Sequence, residues 1–96
     1  MPSDRGVQYD ELTNTFILRG VAYALRENGD PMSWAVYAAG DGPHGPTIAT
    51  GELADGGGAY VGAPIEPRYG LTYADAMAIF SCWEKVMRAH GKWPVA

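Results

Sequence analysis

Apolar and polar positions alternate with period two through the middle of the chain and change to a helical period near its end. Residues 33–39, SWAVYAA, place Trp34, Val36 and Ala38 on one side of an extended chain and Ala35 and Tyr37 on the other. TIATGEL (47–53) reads as a further strand, because Thr and Ile suit the pleat, and AYVGA (59–63) reads as a short one after it. TFILRGVAYALR (15–26) fits two periods. As a strand it sets Ile17, Val21, Tyr23 and Leu25 on one face, with Arg19 interrupting, and Phe16, Leu18, Ala22 and Ala24 on the other. As a helix it has the stripe Ile17, Leu18, Val21, Ala24 and Leu25, ended by Asn28-Gly29. Gly20 in a helix interior costs about 1 kcal/mol. ENGDP between two apolar runs is a hairpin signal, so residues 16–27 are predicted as a strand.

The segments between are turns. GDGPHGP (40–46) holds two Pro and three Gly in seven residues and is a loop. ADGGG (54–58) turns the chain, and PIEPRYG (64–70) is an extended crossover, since neither Pro can donate to a ladder. Residues 1–14 show one short alternation, Val7-Gln8-Tyr9, and are expected to form a loosely held arm.

The helix is the best-marked element. Thr72 caps it, with Asp75 three residues on as a near capping box and an acid in the first turn. Ala76, Ile79, Phe80, Trp83, Val86, Met87 and His90 follow the spacing of one face. Gly91 supplies the left-handed stop and Pro94 lies beyond it. Lys85, Arg88 and Lys92 suit the negative pole. These elements predict an α+β fold: an antiparallel sheet of three to four strands with one C-terminal helix packed on one face. One helix covers one face only, so the other meets water or a partner.

A chain of 96 residues is a single domain, 1–96. One cysteine forms no internal disulfide, which fits a reducing compartment. MPSDRGVQYDE has neither a basic n-region nor an apolar h-region, and no apolar run approaches the roughly 20 residues of a membrane span. A soluble cytoplasmic protein of a bacterial host is therefore expected, with no membrane partner. Abundant Ala and Gly with only two Lys suggest a GC-rich coding sequence, hence a bacterium or phage.

The net charge of −4 is unevenly spread. Glu27, Asp30, Asp41, Glu52, Asp55 and Glu66 occupy a stretch with no Lys or Arg, whereas the last twelve residues hold Lys85, Arg88 and Lys92 and no acid. Phosphate binding is built from Lys and Arg, so direct nucleic-acid binding is not expected. A basic partner suits the acidic stretch, and the same charge also keeps a small domain soluble.

Reactive side chains do not assemble into a motif. Cys82 and His90 are eight residues apart on the helix, about 80° in phase and roughly 12 Å along the axis, so they share no metal and form no nucleophile–base pair. Cys82 falls beside the polar edge of the stripe and His90 near its centre. There is no C-x-x-C, no H-x-H and no His-Glu pair at i,i+4, and no metal or cofactor is expected. His44 beside Asp41 has the makings of a general base, or is a solvated loop residue. ADGGGAY lacks the G-K-[ST] of a phosphate loop. Asp30, Asp41 and Asp55 sit where turns favour Asp anyway.

Six Tyr and three Trp are more than one small core hides, and exposed Tyr and Trp are common anchors of protein interfaces. In size, acidity and layout, WAVYAAGDGPHGPTIATGEL followed by a helix opening TYADAMAIF resembles small phage and mobile-element proteins, among them type I anti-CRISPR proteins. That resemblance spans roughly residues 20–90 and implies binding to a CRISPR surveillance complex or its nuclease, often by offering acids to a basic DNA groove. The expected function is accordingly non-enzymatic inhibition of a nucleic-acid-handling defence complex. Asp30, Asp41, Glu52, Asp55, Trp34 and Tyr37 are the expected partner-binding residues. The alternatives are a self-associating accessory protein that pairs an exposed sheet edge or face as a homodimer, and a small enzyme using His44.

Overall fold

The computed structural model describes residues 6–30, 32–53, 59–62 and 70–93. Six strands form one antiparallel sheet in chain order: β1 Gln8–Asp10, β2 Thr15–Leu18, β3 Val21–Asp30, β4 Ser33–Ala38, β5 Ala49–Leu53 and β6 Ala59–Gly62. One helix follows, α1 Tyr73–Ala89. The predicted α+β layout is present, with six strands rather than three to four.

The two extra strands come from two places. The segment expected as one strand over 16–27 is a hairpin, β2 and β3, closed by the pair Leu18↔Val21. Its turn residues Arg19 and Gly20 both have positive φ, 50° and 81°, the sign pattern of the type I′ turn that matches strand twist. Gly20, which argues against a helix, is therefore the turn. The expected loose arm is instead tied down: Val7 is buried and Gln8–Asp10 pairs with Thr15–Ile17. β5 begins at Ala49 rather than Thr47, although the Ile48 amide still donates to the Val36 carbonyl at 2.8 Å. The predicted turn at 54–58 and most of the crossover at 64–70 lie outside the described residues.

Period two sorts the sheet into two faces. Phe16, Leu18, Tyr23, Val36, Ala49 and Leu53 are buried on the face that carries the core. Gly51 belongs to that face because Phe80 sits on it: a Cβ there would lie 2.5 Å from the ring. The opposite face carries small residues in register, with Ala24 across from Tyr37 and Ala35 between Arg26 and Thr50.

α1 begins and ends as its sequence dictates. The Asp75 amide donates to Thr72 Oγ1 and the Thr72 amide to Asp75 Oδ2, both at 3.1 Å, a complete capping box. At the other end Lys92 N donates to the Met87 carbonyl at 2.7 Å and Gly91 N to Arg88 at 3.1 Å, a Schellman stop on Gly91 at φ 68°. The buried face is broader than the predicted stripe. Asp75, Ala76, Ala78, Ile79, Phe80, Cys82 and Trp83 are buried, an arc of about 200° at 100° per residue. The helix meets β1 and β2 on one side and β6 on the other, so the sheet curls round it. Cys82 is thereby buried rather than at a polar edge. Burial fades toward the C-terminus, where His90, predicted on the inner face, is exposed.

Candidate functional site

The strand register distributes the acidic residues. Asp30 pairs with Ser33, and Ser33 with Glu52; Glu27 pairs with Trp34. Neighbouring strands lie about 4.8 Å apart, so the Asp30, Ser33 and Glu52 positions cross roughly 10 Å of one sheet end. Glu27 and Glu52 are exposed there. Asp41, also exposed, stands in a 3₁₀ turn, Ala39–Asp41, after β4. The six residues of β4 put it at the opposite end of the sheet, about 20 Å away. Asp55 lies outside the described residues. The predicted acidic set is thus divided: the Asp30 and Glu52 positions share one end and one face of the sheet, Glu27 stands at that end on the opposite, helix-side face with Trp34, and Asp41 is at the other end.

The two predicted aromatics lie on opposite faces. Tyr37 is half-buried on the outer face, beneath Arg26, whose guanidinium carbon is 5.0 Å from the ring centroid. Arg26 also donates to the Pro43 carbonyl and to Thr47 Oγ1, each at 2.7 Å, and so straps the Gly/Pro loop to this face. Trp34 is on the helix side, its ring 4.8 Å from Trp83. Trp83 continues an aromatic row, with Phe80 at 6.0 Å and Trp93 at 5.2 Å.

Where α1 loses its burial, a groove of about 350 Å³ opens between helix and sheet. Its sheet wall is Tyr9, Asn14, Phe16, Leu25 and Trp34, and its helix wall is Trp83, Val86, Met87, His90 and Lys92. Tyr9 lies 5.0 Å from Phe16 and donates its hydroxyl to Asn14 Oδ1 at 2.8 Å, which fixes that wall. Arg88 holds the outer side, donating to Glu84 at 2.7 Å and lying 4.9 Å above Trp93. The sequence marked Trp83, Val86 and Met87 as one stripe. It gave no sign that Tyr9, from the supposed arm, and Trp34 stand across from them, because that pairing depends on long-range packing.

The groups weighed for chemistry stay apart. His44 is exposed in its loop, Cys82 is buried and His90 is exposed at the helix end. Among the described residues no three His, Cys, Asp or Glu side chains are grouped to hold a metal ion. None of the described helices is long and apolar enough to cross a membrane.

The most strongly perturbed carboxyl is structural. Arg19, in the β2–β3 turn, donates to Asp75 Oδ1 at 3.2 Å and Oδ2 at 2.7 Å. This bidentate pair holds the Asp75 carboxyl at about 2, against the ordinary 3.8, with burial opposing and the Thr72 donors assisting. It sits at the helix N-terminus, away from the groove.

No protein-family model matches the chain, and neither a curated protein nor a solved structure matches it.

Proposed function

We propose that this is a non-enzymatic binding protein that docks the acidic end of its sheet on a basic surface of a nucleic-acid-handling complex. In line with its resemblance to type I anti-CRISPR proteins, it would inhibit a CRISPR surveillance complex. The observation that carries this reading is the register that sets Asp30 and Glu52 on either side of Ser33, with exposed Glu27 on the adjoining pair. Carboxylates on neighbouring strands add their fields and steer a cationic surface. The net charge of −4 favours the same encounter at long range. Trp34, directly across from Glu27 on the helix-side face, adds aromatic surface next to that acid at the same sheet end.

The test separates the two ends of the sheet. Asp30→Lys with Glu52→Lys is expected to weaken inhibition of a purified complex by about tenfold or more, some 1.4 kcal/mol, and to flatten its salt dependence. Asp41→Lys, at the far end, is expected to stay within about twofold of the parent. Equal losses from both variants would place the contact elsewhere.

A further inference from the structure

The groove between α1 and the start of β4 has a chemistry of its own, distinct from the acidic sheet end. Its walls combine flat aromatic surface from Tyr9, Phe16, Trp34 and Trp83 with the side chains of Asn14, His90 and Lys92. Among the described residues that line it there is no carboxylate. The Tyr9 hydroxyl occupies Asn14 Oδ1, which leaves the Asn14 amide nitrogen to donate. Lys92 and His90 are exposed on the rim. Arg88 is engaged with Glu84 and Trp93.

Two features oppose negative charge here and are outweighed. The helix C-terminus carries partial negative charge, but its Met87 and Arg88 carbonyls accept from Lys92 and Gly91, which blunts that pole. Glu27, across from Trp34, is exposed and stands outside the wall. A described lining of aromatic faces with hydrogen-bond donors and the Lys92 ammonium, and no acid, selects a flat apolar body bearing an anionic acceptor.

We infer that this groove is a binding site for a small planar aromatic carboxylate, its ring on Trp34 and Trp83 and its carboxylate on Lys92, with His90 and Asn14 at hand as further donors. The volume is at the lower end of small-molecule pockets, roughly 300–1,000 Å³, which suits one fused ring system rather than a longer ligand.

Matched probes test it: indole-3-carboxylate, neutral indole and cationic tryptamine, titrated into the full chain while the tryptophan side-chain N–H signals are followed by ¹H–¹⁵N NMR. Indole-3-carboxylate should give saturable shifts at Trp34 and Trp83, with a Kd on the order of 0.1–1 mM for so small a ligand. Indole and tryptamine should bind about tenfold more weakly or worse. Lys92→Glu, at an exposed position, should remove most of that preference while the dispersed spectrum of the fold is kept; Lys92→Gln should have a smaller effect in the same direction. Tryptamine binding as tightly as the carboxylate would overturn the inference in favour of a cation-binding aromatic site. Non-saturable shifts, or an unchanged affinity in Lys92→Glu, would also overturn it. The inference does not depend on sheet-end docking: Asp30→Lys with Glu52→Lys should not lower carboxylate affinity.

Discussion

Gly51 shows how one missing side chain fixes the distance between helix and sheet. The Phe80 ring lies on the Gly51 backbone so closely that a Cβ would come within 2.5 Å of Cζ and 2.6 Å of Cε1. Phe80 is itself fully buried in the core, so its ring retreats only by displacing core neighbours. Gly51→Ala should therefore destabilise the fold by about 1–3 kcal/mol through overpacking. At roughly 4–8 °C per kcal/mol for a domain of this size, thermal unfolding should show a clear drop in midpoint. An unchanged midpoint would mean that helix and sheet separate easily. A glycine inside a strand is a visible sign of close approach. Which side chain closes on it is not visible in sequence, since Phe80 is far along the chain and on another element.

At the scale of elements, legibility tracks how local the determinants are. The two ends of α1 are readable because its capping box and Schellman stop are built from neighbouring residues, Thr72 with Asp75, Gly91 with Arg88 and Lys92 with Met87. β4 was equally plain, since its alternation is uninterrupted. The β2–β3 hairpin was hidden because its turn uses Arg-Gly, where Asn-Gly is the usual signal. In sequence Arg19 reads as an interruption of a strand, whereas the fold brings Asp75 to its guanidinium. That contact ties the hairpin turn to the helix start and gives stability a pH dependence. The folded-state value of Asp75 lies below the ordinary one, so its ionised form stabilises the fold above pH 3.8. That contribution is lost as pH falls from 3.8 through about 2. Asp75→Asn should be less stable than the parent at neutral pH and show a shallower loss of stability across that acid window. Urea unfolding at a series of pH values checks this, and parallel acid curves for the two proteins would contradict it.

For the whole molecule, α1 is buried against the sheet over its first turns and exposed at its last, which leaves the groove at the end of the sheet that also carries Glu27, Asp30 and Glu52. Much of the layout was legible: one helix, an antiparallel sheet and an acidic middle with a basic end. The grouping of side chains was not. Charge along the sequence treats Asp30 and Asp41 alike, yet register sends them to opposite ends of β4. Tyr37 and Trp34 alternate as predicted, but Tyr37 is under Arg26 and Trp34 faces Trp83. The acidic sheet end is the surface on which the proposed function rests. The most direct measurement is competition: binding of target DNA by purified type I CRISPR surveillance complexes, with the protein added at increasing concentration and at low and high salt. The protein is expected to displace DNA from at least one complex, less effectively at high salt. DNA binding unchanged at saturating protein across the complexes would contradict it.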